Sequence, residues 1–371
     1  MSGVPTSVPT STALGTTMHG VPARYRTGFQ DVGDDTWAWE QPNGDFGESN
    51  AGLIVSGDQA LLVDTLWDLR MTRRMLDAAV ALTGGTLPQT VVNTHSDGDH
   101  FWGNQLLPDA EIISTAIARK KMPHDTPAEL ARMARASRLL VAVGWLPIPV
   151  VGLLHIPGLP QLPSRRMGSM MRPFHFDEVE MVLPSRTFEG RLSLKVGDRD
   201  VEVIEVGPAH TAGDAIVWVP DVAVCFAADV LFVDTTPMMW AGPVASFARA
   251  VDQVLALDAV TFVPGHGPVC GRAEVELVRD YVAWVQEEAV PRVASGESAT
   301  KAARSLLLSS EFASLPWSRW DNPASLVLTL HTEQYVLAGG RGHLPPRLRA
   351  RAMVQMQMTA AALDRARRKR T

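Results

Sequence analysis

Residues 91 to 105 read VVNTHSDGDHFWGNQ and crowd two histidines and two aspartates into His95-Ser-Asp97-Gly-Asp99-His100. Imidazole and carboxylate at this density are metal-binding chemistry. At an extended strand end, residues two apart point the same way, so His95 and Asp97 can converge on one point. Gly98 permits a sharp turn, after which Asp99 and His100 face a second point. One metal ion needs three or four donors, and a second ion about as many again. The loop therefore needs help from elsewhere. Three candidates each sit where an apolar run hands over to a loop: His210 in HTAGD after VIEVGPA, Asp229 after AVCFAA, and His266 in GHG after TFVP. Sites are commonly assembled at such strand ends.

The ordered set of Asp64 in LLVDT, His95-x-Asp97-x-Asp99-His100, His210, Asp229 and His266 resembles the metallo-β-lactamase-fold hydrolase superfamily. The likeness runs from about residue 48 to 270. It implies a four-layer αβ/βα sandwich, with metal at one edge between two sheets, followed by a C-terminal helical extension. It further implies that His95, position 97 and His210 hold one metal, that Asp99, His100 and His266 hold another, and that Asp229 bridges. Asp64 would orient a ligand histidine from behind, with Thr211 and Asp214 of HTAGD in a similar supporting role.

The chain departs from the family pattern, His-x-His-x-Asp-His, at one position: the second histidine is Asp97. A carboxylate can bind zinc, but the extra charge makes a harder site that shifts preference toward manganese or iron. It also neutralises more of the metal charge, so bound water is acidified less. One or two divalent ions are expected, zinc first and manganese or iron as alternatives. Three states of the first position stay open: Asp97 as a metal ligand, Asp97 as a base beside a weakly held metal, or no metal there at all; a purely structural Asp97, holding the turn by an Asx-type hydrogen bond, is a further reading.

What the donor set can do is hydrolysis, by a metal-activated hydroxide attacking a carbonyl, with Asp99 also taking a proton. The expected substrate is a small apolar ester, thioester or lactone. A weakly catalytic ligand sensor on the same fold is the alternative, and a β-lactamase-like amide hydrolase a further one. Residues 139 to 172, Pro-rich and apolar, and the C-terminal helices are expected to wall the pocket, with Trp102, Trp145 and His331 as candidate lining.

The elements that must position these residues follow from patterning. NAGLIVSGDQALLVDT reads as a hairpin turning at Ser56-Gly57-Asp58, and residues 66–83 carry apolar positions at helical spacing before Gly84-Gly85. QTVVNTH is a buried strand. Four strands are expected from RLSLKVGDRD to VAVCFAADVLF, then a helix near 244–257 and the strand AVTFVPGHG. A disordered tail (1–30), a main domain (31–271) and a helical extension (272–371) are the expected divisions.

Composition is that of a soluble globular protein: 46% apolar, 20% charged and a formal net charge of −6, which argues against a nucleic-acid partner. The two cysteines suggest reduced thiols, and the opening segment lacks the apolar core of a secretory signal. A cytoplasmic enzyme acting on a small molecule is therefore expected, with homo-oligomer formation open. Residues 139–160 are long and uncharged enough to raise a membrane question. Four prolines within them argue against a spanning helix.

Overall fold

The computed structural model describes residues 14–44, 46–124, 126–142 and 170–368. Most of the expected insertion, residues 143–169 with Trp145, lies outside them, as do residues 1–13.

Two sheets face each other. The first has seven strands in sequential order: β1 (Gly28–Gly33), β2 (Thr36–Glu40), β3 (Ala51–Ser56), β4 (Gln59–Val63), β5 (Thr90–Val92), β6 (Glu111–Thr115) and β7 (Arg186–Phe188). It is antiparallel from β1 to β4 and parallel from β4 to β7. The second runs β12-β11-β10-β9-β8, from β8 (Arg191–Val196), β9 (Arg199–Glu205), β10 (Ala215–Val219), β11 (Val224–Phe232) and β12 (Thr261–His266). Only its β11–β12 pair is parallel.

Side-chain alternation sorts each strand between two cores. On β4, Leu61 and Val63 join Val92, Ile113, Val203, Val217 and Phe226 between the sheets, while Leu62 faces out. Outside the first sheet Leu62 meets Met71, Met75 and Ala79 of helix α1 (Leu69–Leu82). On β11, Phe226 points inward, whereas Cys225 and Ala227 pack against the helices outside the second sheet. The result is the expected four-layer sandwich. Strands buried on both faces lose the polar–apolar alternation and read as continuous apolar runs.

Helix α1 starts three residues later than its apolar spacing suggests, because the Asp68 carboxylate accepts from the Arg70 and Met71 amides and caps it there. The segment from Gly98 onward forms only short turns. It comprises one turn, α2 (Gly98–Phe101), and a 3-10 turn over Asn104–Leu106. Helix α3 (Ala116–Lys121) follows β6, and α4 (Pro127–Ala142) leads toward the insertion. Within the expected N-terminal tail, Thr16 bridges Pro22 and the Met18 amide donates to Glu48 (2.7 Å).

The outer layer of the second sheet is α5 (Val244–Leu255) and α6 (Arg272–Trp284). The chain continues through α7 (Val290–Ala294), α8 (Ala299–Leu307), α9 (Ser310–Ser314), α10 (Ser325–Leu337) and α11 (Pro346–Arg368). Leu326, Val327, Leu330, Ala352 and Met356 share one continuous core with Val251, Val278 and Ala227, so these helices extend the outer layer. Among the described residues no helix is long and apolar enough to cross a membrane.

Candidate metal centre

The strand ends place the donors. Asp64 follows β4, the His95 loop follows β5, His210 lies between β9 and β10, and His266 ends β12. Asp229 lies within β11, where the pairing with β12 shifts around Ala228, which has φ 46°. That irregularity turns the Asp229 carboxylate toward the histidines. Gly265 is required beside it: a Cβ there would lie 1.8 Å from Asp229 Oδ1.

Asp229 is the hub. Its carboxylate is 3.1 Å from His100 Nε2, 3.2 Å from His210 Nε2, 3.6 Å from His266 Nε2 and 4.0 Å from His95 Nε2. Asp99 Oδ2 is 3.5 Å from His266 Nε2 and 3.9 Å from His100 Nε2. Asp97 Oδ2 lies 3.0 Å from His210 Nε2. Two compact donor groups result, His95–Asp97–His210 and Asp99–His100–His266, each with its ligand atoms mutually within 4.8 Å. Asp64, His95 and His100 also meet this distance, but the Asp64 contact is with the far nitrogen of His100.

The histidine tautomers follow from what lies behind each ring. Asp64 accepts from the Thr94 amide (2.7 Å), the Thr94 hydroxyl (2.7 Å) and His100 Nδ1 (2.9 Å). The Thr94 hydroxyl has one proton, and it goes to Asp64. His95 Nδ1, 3.0 Å from that hydroxyl oxygen, must then be the donor. His210 Nδ1 faces the Met238 carbonyl, which can only accept. All three rings therefore turn a bare Nε2 inward when neutral, the arrangement found around ligand histidines. Asp64 adopts φ 63°, a left-handed conformation that aspartate tolerates better than most residues.

Two of these nitrogens make no geometrically sound hydrogen bond within the protein, whereas His210 Nε2 meets Asp97. His95 Nε2, His100 Nε2 and Asp229 Oδ1 are buried without a hydrogen bond, and each such atom costs about 1–3 kcal/mol if nothing meets it. A divalent cation fits this donor set: buried imidazole lone pairs around carboxylates, with only Asp97 and Asp99 partly open to solvent (21% and 17%).

Electrostatics point the same way. Burial opposes charge on every group, yet the Asp229, Asp99 and Asp64 carboxylates raise the His100 imidazole well above its usual range. Burial likewise opposes a charged His210, but Asp229 and the Asp97 hydrogen bond push it up to about 10. Against the same burial penalty, the surrounding imidazoles hold the Asp229 carboxyl far below the carboxylate range, and Asp97 and Asp99 below it as well. His95 moves down, through burial and then the neighbouring His100. Without a cation the centre gathers protons, and a cation would displace them.

Asp97 is the N-cap residue of α2, yet its side chain makes no capping bond. Its carboxylate goes to His210 instead, so a turn-holding Asx bond is not what this side chain makes. Asp214 braces the HTAGD loop by accepting from the Ala209 amide and from the Thr211 amide and hydroxyl. Trp102 is buried between Trp67, Phe101 and Phe176, with its ring over Gly98, where a Cβ would meet it at 2.3 Å. It supports the turn from the core side. His331 bonds the Thr300 hydroxyl on α8 (3.0 Å) and belongs to neither donor group. His343, which by sequence lies outside the motif and reads as an ordinary solvated or packed side chain, sits between α10 and α11 within electrostatic reach of Asp97 and His210. It follows a Gly-rich turn with no periodic or motif signal that could have singled it out.

The family model for the metallo-beta-lactamase superfamily matches residues 44–266. The alpha subunit of 2,4-dinitroanisole O-demethylase from Nocardioides sp. (strain JS1661) is 24% identical over 240 residues, 62% of this chain and 56% of that protein. The chain thus spans little more than half the length of that relative. Among solved structures, a metallo-beta-lactamase from Pontibacter korlensis aligns with a TM-score of 0.48 and 14% identity over 69% of this chain and 98% of that one. Another from Erythrobacter litoralis gives 0.46 and 16%, over 69% and 95%. With most of the sandwich and its donor loops inside the matched span, the chain belongs to the metallo-beta-lactamase superfamily.

Proposed function

We propose that this chain is a metal-dependent hydrolase acting on a small ester, thioester or lactone with an apolar body. The observation that carries the reading is the convergence of four imidazole Nε2 atoms on the Asp229 carboxylate, two of them buried without a hydrogen bond. In this reading His95, Asp97 and His210 hold one divalent ion, Asp99, His100 and His266 hold a second, and Asp229 serves both. When bound, such an ion brings a water molecule's pKa toward neutrality and polarises the substrate oxygen.

The remaining work falls to the chain. Asp64 and Thr94 hold His100 and His95 with Nε2 inward, and the Met238 carbonyl does so for His210. Asp214 keeps His210 in place by tying down the loop that carries it. Asp99, at the solvent-facing edge, takes up a proton at its carboxylate during attack and returns it to the leaving oxygen or sulfur. Asp97 adds negative charge where the family pattern has a neutral imidazole, which favours harder cations such as manganese or iron alongside zinc.

A second reading rests on the demethylase relative, whose name describes removal of a methyl group from an aryl ether oxygen. The same centre would then cleave an activated aryl methyl ether with water. One panel separates the readings: metal-replete protein against aryl esters, thioesters, lactones and 2,4-dinitroanisole. Turnover of the first three, abolished by chelation, supports the hydrolase. Turnover of the ether alone supports the second reading. Silence on all four with metal bound leaves the ligand sensor.

A further inference from the structure

An imidazole with an unpartnered nitrogen lies beside the Asp97–His210 edge of the centre, with a cation next to it, on segments the donor groups do not use. The chain between α10 and α11 is tied to the site through residue 241: Ala241 pairs with His343 in an isolated antiparallel bridge, and the Trp240 and Ala241 amides both donate to the His210 carbonyl (2.7 and 3.0 Å). His343 is thereby carried to the metal loops by backbone bonds. Its Nε2 is shielded from solvent and has no hydrogen-bond partner.

Helix α3 approaches from the other side. A Cβ at Gly213 of the HTAGD loop would meet the Ala118 amide at 2.6 Å and Thr115 Oγ1 at 2.8 Å, so the start of α3 is pressed against that loop. Its last residue, Lys121, is half-buried, with Nζ 3.9 Å from where a Gly342 side chain would begin. Lys121 forms no ion pair with any described residue. Burial lowers the His343 imidazole, the Asp97 carboxylate pulls it up and the Lys121 ammonium pushes it down again, so His343 lies within reach of both. A half-buried lysine without a counter-ion, next to an orphaned ring nitrogen, is a site built for a negatively charged oxygen group.

We propose that Lys121 and His343 form a recognition edge that holds a carboxylate carried by the substrate, beside the ester, thioester or lactone bond that the metal centre cleaves. The inference rests on the hydrolase reading above and sharpens it. The substrate then combines an apolar body with an acidic end, and the C-terminal segment supplies part of its selectivity. The ammonium provides the charge, the imidazole a single N–H, and Asp97 keeps the anion from sliding onto the metal side by repulsion.

The test compares two aryl esters of equal chain length, one of a monocarboxylic acid and one of the matching dicarboxylic acid, on metal-replete full-length chain. A charge-assisted bond of this kind is worth roughly tenfold or more, so the wild type should favour the acidic ester by at least that in kcat/KM, through a lower KM. Lys121→Gln and His343→Ala should bring the ratio toward one, and Lys121→Arg should keep it. Lys195→Gln, exposed on the β8–β9 hairpin and paired only with Asp200, should match the wild type. A wild-type ratio near one, or an unchanged ratio in Lys121→Gln, overturns the proposal. If neither ester turns over, the ester form of the hydrolase reading fails and the edge is judged by binding alone. Calorimetric titration with the free dicarboxylate should then give an affinity that falls about tenfold in Lys121→Gln, and no binding or equal binding overturns it.

Discussion

Replacing Asp64 by asparagine should unload the metal centre without unfolding the protein. Asp64 accepts three hydrogen bonds, from the Thr94 amide and hydroxyl and from His100 Nδ1, at 2.7 to 2.9 Å, and is 2% exposed. Asparagine keeps the shape and tolerates φ 63°. It can satisfy the Thr94 amide with its carbonyl oxygen, but its NH2 group then faces His100 Nδ1–H, donor against donor. The ring relieves this by moving its proton to Nε2, which removes the lone pair from the centre. Losing such an orienting partner typically costs about 10–100-fold in metal affinity. Asp64→Ala is a harsher change. It strands three buried donors at about 1–3 kcal/mol each, for a loss of roughly 3–9 kcal/mol in stability. Competition against a chelator reports the affinity, the imidazole nitrogen NMR shifts report the tautomer, and thermal melting reports the fold. A folded Asp64→Asn protein with metal affinity within twofold of wild type would refute the tautomer argument.

Other expectations follow from the same geometry. Gly265→Ala drives a methyl group into Asp229 Oδ1; elemental analysis should show most of the metal lost, and retention of full stoichiometry would contradict the hub role of Asp229. Asp97→His removes one carboxylate and breaks the His210 pair; selectivity should move toward zinc over manganese by about tenfold, read by competition dialysis. Metal affinity should rise with pH. In the metal-free centre His210 holds its proton up to about pH 10 instead of 6.5, so a cation must displace that proton throughout this window. Binding should tighten by up to tenfold per pH unit for each proton released, measured as proton uptake by the buffer in calorimetry; pH-independent binding would count against it.

How much of this was legible depended on whether the signal was local. Val91 and Val92 of β5, and β11 from Val224, are buried on both faces and so appear as apolar runs, and the donors at or beside them were found with them. Edge strand β1 carries only exposed or half-exposed residues and β7 a single buried one, Phe188, so neither shows such a run and neither was expected. Leu66 and Trp67 fit the helical spacing of α1 but belong to the core beside it, since the Asp68 cap overrides periodicity. Trp102 next to the metal loop suggested a pocket wall, whereas the missing side chain of Gly98 lets its ring pack beneath the turn. His343 and Lys121 reach the site only through the long-range bridge to Ala241 and the packing of α3, which leave no trace in local spacing.

The most direct measurement is anomalous diffraction, at the absorption edge of the metal found by elemental analysis, from crystals of metal-replete protein. Scattering peaks should sit about 2.0–2.2 Å from Nε2 of His100 and of His210, flanking the Asp229 carboxylate. A peak bonded through Nδ1, or a metal held anywhere other than this cluster, would contradict the centre described here.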